Sequence, residues 1–70
     1  MTKLMAPMVG KIISVDVNVG ETVKKNQSVV ILEAMKMKIP VVAPEGGAIQ
    51  EINVKVGQTV DTDTLIAVIG

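Results

Sequence analysis

Glu33-Ala34-Met35-Lys36-Met37-Lys38 stands out in a chain otherwise dominated by valine, isoleucine and glycine. A lysine sits between two methionines, midway along 70 residues. Lys36 is either one solvated charge among the lysines or the residue that holds whatever gives this protein its work. Other reactive groups are scarce. The chain has no Cys and no His, which removes thiolate and imidazole zinc ligands, a cysteine nucleophile, and every triad that needs a histidine base. A self-contained hydrolase or transferase does not fit such a composition.

Partners are narrowed in the same way. Seven basic residues, all lysine, balance seven acidic ones, and there is no Phe, Trp or Tyr. Nucleic-acid binding lacks its usual means, since there is no stacking ring, no arginine fork and no excess positive charge. Residues 1–38 hold six lysines and three acids, net +3, and residues 39–70 hold one lysine and four acids, net −3. That asymmetry is able to orient the domain on a partner, although ordinary solvated faces explain it equally well. No apolar run approaches a membrane span, and MTKLMAPMVG lacks the hydrophobic core of a signal peptide. The expectation is a cytoplasmic protein without direct membrane insertion, or one held at the inner face of a membrane through a partner complex.

The elements that must position Lys36 emerge from a repeat. Residues 6–32 and 43–69 align without a gap at a shift of 37, with nine of 27 positions identical, among them Ala-Pro, Gly10 with Gly47, Ile12 with Ile49, and Gly20-x-Thr22-Val23 with Gly57-x-Thr59-Val60. Two copies are too few for a solenoid, so two similar halves about a pseudo-twofold axis are expected, filling one domain over residues 1–70. Within each half the period is close to two. Ile13, Val15, Val17 and Val19 alternate with polar residues, as do Ile52, Val54 and Val56, which predicts strands with one buried face. The spacing predicts strands near 2–5, 11–18, 21–24, 28–34, 37–42, 48–55, 58–61 and 65–69, almost no helix, and an aliphatic core in which Met5 and Met8 act as flexible fillers. Eight short strands in two halves make an all-β protein, two small sheets packed face to face or a flattened barrel. Asn26 and Asp63 fall at equivalent turns where a left-handed backbone is expected. Gly10, Gly47, Gly20 and Gly57 are expected to mark turns or close backbone approaches.

The segment EAMKMKIPVV links the two repeats. A hairpin of strands 28–34 and 37–42 places Met35 and Lys36 at its tip, away from the chain ends. A hairpin tip normally carries Asn, Gly or Asp, so methionines around the lysine are unusual there. Either they fold back over the sheet edge, or a partner recognises their soft side chains.

Ala34-Met35-Lys36-Met37, preceded by Glu33 and placed midway between the two halves, resembles the attachment sequence of the biotinyl domains of biotin-dependent carboxylases, decarboxylases and transcarboxylases. Ala6-Pro7-Met8 followed by Gly10 resembles the start of the same domain, so the likeness runs through the whole chain. It implies a barrel-sandwich hybrid, the hammerhead fold, a flattened sandwich of two four-stranded antiparallel sheets. It further implies biotin in amide linkage to Lys36, attached by a biotin protein ligase that reads Glu33, Ala34, Met35, Met37 and the hairpin geometry. The implied partners are biotin carboxylase, carboxyltransferase or decarboxylase subunits, and the implied role is that of a non-catalytic carrier moving a carboxyl group between their active sites.

The chain departs from the family pattern at Asn26 and Asp63, where glycine is common, and at Lys38, where glutamate is frequent. The tight turn expected over Val23 to Ser28 leaves no room for a protruding thumb, which makes the chain resemble thumbless carriers and the gamma-type subunits of decarboxylases. Three other readings compete. A lipoyl carrier of a 2-oxoacid dehydrogenase would share the architecture, but the Asp-Lys-Ala tip of lipoyl domains is missing. A passive interaction module would share the halves and the core, and an enzyme in its own right fits least.

Overall fold

β-Branched runs punctuated by glycine and Asx turns fold the chain into eight strands, seen in a computed structural model that describes residues 1–70. They are β1 (Thr2–Met5), β2 (Gly10–Val15), β3 (Thr22–Val23), β4 (Ser28–Ala34), β5 (Met37–Val42), β6 (Gly47–Ile52), β7 (Thr59–Val60) and β8 (Leu65–Ile69). Two four-stranded sheets result, ordered β1-β8-β6-β3 and β5-β4-β2-β7, with every pairing antiparallel. One aliphatic cluster draws on both sheets, so they pack face to face as a sandwich. No strand pairing closes them into a barrel.

The ladders repeat with an offset of 37 residues. Leu32 pairs with Ile39 and Ile69 with Thr2; Ile12 pairs with Leu32 and Ile49 with Ile69; Gly10 pairs with Val60 and Gly47 with Val23. Each sheet therefore borrows one two-residue strand from the other half. The 16 residues of the core obey the same offset and fall into eight pairs, such as Leu4 with Val41, Val17 with Val54, Val29 with Ile66, and Leu32 with Ile69. No polar or charged side chain is buried. Chemistry is thereby confined to the surface.

Four strands lie where the sequence places them, and four are shorter. Strands expected over 11–18 and 48–55 leave their ladders at Val15 and Ile52. Val17 and Val54 stay buried beyond those points, so the alternation there reports burial without pairing. The buried phase also differs from the simple alternation. Ile12 pairs with Leu32 but Ser14 pairs with Ile31, which makes Ile13 an extra residue, and Gln50 is its equivalent between Ile49 and Glu51. These bulges bring Ile12 and Ile49 into the core, while Val19 and Val56, inside the turns that follow the ladders, are 63% and 64% exposed. Met5 and Met8 are corrected too. They are 41% and 38% exposed, because smaller residues of the paired core already fill the gap between the sheets.

The turns repeat one design. Asn18–Glu21, Lys24–Gln27, Lys55–Gln58 and Asp61–Thr64 each close with a backbone bond from the fourth residue to the first, while the fourth side chain accepts from the first N–H. Gly20 and Gly57 supply φ of +90° and +93° at the third position, and Asn26 supplies +70°. Asp63 does not share that conformation. Its N–H and the Thr64 hydroxyl both donate to the Asp61 carboxylate, which holds this turn together with a right-handed backbone. Lys24–Gln27 is tight, and no thumb protrudes from it.

Candidate functional site

Lys36 owes its position to the central strand of its sheet. β4 lies between β2 and β5, and its ladder with β5 runs without interruption from Val30↔Val41 to the closing pair Ala34↔Met37. Pro40, which donates no ladder bond, is tolerated because β5 is an edge strand. Only Met35 and Lys36 remain to reverse the chain. They do so with φ of +52° and +65°, the two positive values of a type I′ hairpin turn. Asn-Gly is the favoured pair for this turn, and neither residue here is glycine. Each left-handed non-glycine residue costs about 1–3 kcal/mol, which the continuous ladder beneath offsets.

Side chains at the tip divide by role. Met35 is 93% exposed and Met37 63% exposed, so neither folds back over the sheet edge. Lys36 is exposed between them, while Ala34 is buried beneath the turn. Glu33 is exposed and lies in register with Lys11 on one neighbouring strand and Lys38 on the other. Opposite charges facing each other across strands favour this register modestly.

At this end the sequence reading misplaces Met8 in the core and does not single out Val9. Gly10 packs so closely that a Cβ there would lie 2.7 Å from the Glu33 carbonyl oxygen, and Met8 and Val9 are the bend residues that precede it. Val9 is 64% exposed. The available signal was that Ala-Pro-Met-Val in the first repeat becomes Ala-Pro-Glu-Gly in the second. A residue common to the scaffold would have recurred.

The chain ends occupy the second half's counterpart of this tip. Thr2↔Ile69 is the equivalent of Ile39↔Leu32, and Gly70 exchanges backbone bonds with Ala48. β4 starts beside Ala43 on that side, where Val23 pairs with Gly47, and runs to the turn at Lys36. Lys36 and the termini thus lie at opposite ends of the sandwich, whose long dimension is 30 Å. The surface forms no pocket, no three His, Cys, Asp or Glu side chains converge as metal ligands, and no helix is long and apolar enough to cross a membrane. The arrangement is a rigid stage bearing one amine on a short turn.

Comparison with known proteins fits this geometry. The family model for biotin/lipoyl attachment, described as "Biotin-requiring enzyme", matches residues 2–69. The chain is 52% identical over 64 residues to the biotin carboxyl carrier protein of Streptococcus mutans, covering 90% of this chain and 49% of that protein. It is 41% identical over 66 residues to the mitochondrial methylcrotonoyl-CoA carboxylase subunit alpha of Dictyostelium discoideum, covering 94% of this chain and 9% of that protein. Among solved structures, the urea carboxylase of Kluyveromyces lactis contains a similar domain, with a TM-score of 0.92 at 32% identity over 99% of this chain and 6% of that one. The chain spans about half of the Streptococcus relative and less than a tenth of the Dictyostelium one. By its match over residues 2–69, the chain belongs to the biotin/lipoyl attachment family described as biotin-requiring enzymes.

Proposed function

We infer that residues 1–70 form one biotinyl domain whose Lys36 carries biotin and moves a carboxyl group between partner active sites. The observation that carries this reading is the exposed lysine on a strained two-residue turn between exposed methionines. In attachment, the Lys36 ε-amine attacks the carbonyl carbon of biotinyl-AMP. A C–N bond forms, AMP leaves, the amine gives up a proton, and a neutral amide remains. ATP and a biotin protein ligase provide the activation, so Lys36 needs exposure and reach more than unusual nucleophilicity. Met35 and Met37 present soft apolar contacts to the ligase beside the amine. Glu33 adds a charge at the base of the turn, and Ala34, being buried, acts by holding the turn in shape.

Once bound, biotin supplies the carboxyl-carrying chemistry. The chain supplies a stiff base, a tether and a surface to recognise. Tethering replaces diffusion by a high effective concentration at two sites in turn. The partners in this reading are biotin carboxylase and a carboxyltransferase or decarboxylase subunit, and the place of work is the cytoplasm, at the inner face of a membrane where such a complex is embedded there. The finer description of the fold as a barrel-sandwich hybrid of hammerhead type belongs to the same reading, supported by the matched ladders of the two halves.

The test is transfer. Biotinylated parent, a biotin carboxylase, ATP and labelled bicarbonate are expected to yield label on the domain, and Lys36→Arg none. Uptake of a lipoyl group in place of biotin, by cells able to attach either, would assign the domain to the 2-oxoacid dehydrogenases instead.

A further inference from the structure

The pseudo-twofold separates scaffold from function. A feature present in both halves serves the fold, and the exposed pair Val19 and Val56 belongs to that class. A feature in one half alone has another reason. The ends of the sandwich are where the halves differ most. At the Lys36 end stand Met8 and Val9, where the other end has Glu45 and Gly46. The Lys36 end also carries the acidic turn of Asp61 and Asp63, which follows Val60, the ladder partner of Gly10. Its twofold counterpart at the other end is the basic turn of Lys24 and Lys25.

Register fixes how close these groups are. β2 approaches the tip as β4 leaves for it: Ile12 pairs with Leu32, Lys11 with Glu33, and Gly10 lies against the Glu33 carbonyl. Met8 and Val9 directly precede Gly10 in the bend that leads into β2, and so belong to the same end of the sandwich. Both are exposed, like Met35 and Met37, so the Lys36 end of the sandwich carries four exposed apolar side chains, an apolar rim. A lysine has only a four-carbon stem. An enzyme that acylates its amine must bring its active-site entrance against the turn itself, and hence against whatever adjoins the turn.

We propose that Met8 and Val9 are specificity-determining residues for the modification of Lys36, contacted by the biotin protein ligase together with Met35 and Met37. This rests on the reading of Lys36 as the biotin site. The apolar rim on one end, replaced by Glu45-Gly46 on the other, tells the ligase which end of a nearly symmetric domain to approach. The contact acts in binding the acceptor domain, since neither side chain reaches the amine or the acyl group being joined.

Initial rates of biotin transfer by a purified ligase, measured against acceptor concentration, test it with matched valines. Val9 and Val19 are equally exposed, so Val9→Ser and Val19→Ser remove the same apolar surface in different places. Met8→Ser/Val9→Ser is expected to lower kcat/KM about tenfold, mostly through KM. Val19→Ser keeps the parental value, and Val9→Leu restores most of the loss from Val9→Ser. Far-UV circular dichroism melts identical to the parent assign the change to recognition. Parental rates for Met8→Ser/Val9→Ser, or an equal loss in Val19→Ser, overturn the proposal while leaving the biotin reading intact. A parent that accepts no biotin overturns both.

Discussion

Lys36 is held in a conformation that a lysine does not favour. Positive φ at both Met35 and Lys36 puts two side chains where Asn-Gly would sit without strain. Replacement by that pair, Met35→Asn/Lys36→Gly, is therefore expected to stabilise the domain by about 1–2 kcal/mol, or to raise its melting midpoint by roughly 4–15 °C, while abolishing modification. Thermal melts followed by far-UV circular dichroism check this, and an unchanged or lower midpoint would show that the turn holds no strain. Lys36→Ala keeps both the left-handed requirement and an exposed position, so its effect should stay within about 0.5 kcal/mol of the parent. A larger loss in denaturant titration would make Lys36 a structural residue. The candidate site stands out in the sequence because Met-Lys-Met is chemically odd for a hairpin tip. Its positive dihedrals do not, since nothing in the residue types announces them. Met8 was misread as core for a related reason: composition says that methionine fills gaps, but only the paired core of smaller aliphatics shows that no gap is left.

Strands and turns divide the work of presenting that tip. Gly10 is where β2 passes closest to β4, and a methyl group there would meet both the Glu33 carbonyl and the Leu32 side chain at 2.7 Å. Gly10→Ala must displace backbone at the base of the hairpin, at a cost of about 1–3 kcal/mol, and chemical denaturation compared with the parent measures it. Gly20 and Gly57 face open space but have φ near +90°, so each alanine substitution should cost about 1 kcal/mol, and the two should cost the same. Unequal losses would indicate that the turns are not equivalent in solution. β1, β4, β5 and β8 lie where the sequence places them, since each is a short apolar run whose length matches its ladder. β2 and β6 were overextended because a period of two continues in burial after the ladder has ended. Their bulges at Ile13 and Gln50 were illegible, since an extra residue in one strand is defined by its partner and not by its own sequence.

The molecule as a whole is two interlocked halves with one shared core, and the offset of 37 relates its buried residues in pairs. Leu32→Ala and Ile69→Ala remove equivalent, fully buried side chains, and each should cost about 2–5 kcal/mol, a large part of the stability of so small a domain. Similar losses in denaturant titration are expected, and a marked inequality would mean that one half carries the core. This division explains how a chain with no polar group in its interior serves a chemical process. The interior provides stiffness, one end carries the chain termini, and the other carries Lys36 on its turn, the amine that a partner acylates in the proposed reading. The most direct measurement is the intact mass of the chain co-expressed with a biotin ligase and excess biotin, beside Lys36→Arg and a known carrier labelled in the same cells. One biotinyl amide on the parent, located at Lys36 by fragmentation and absent from Lys36→Arg, is the predicted result. An unmodified parent beside a labelled carrier, or biotin on another lysine, would contradict it.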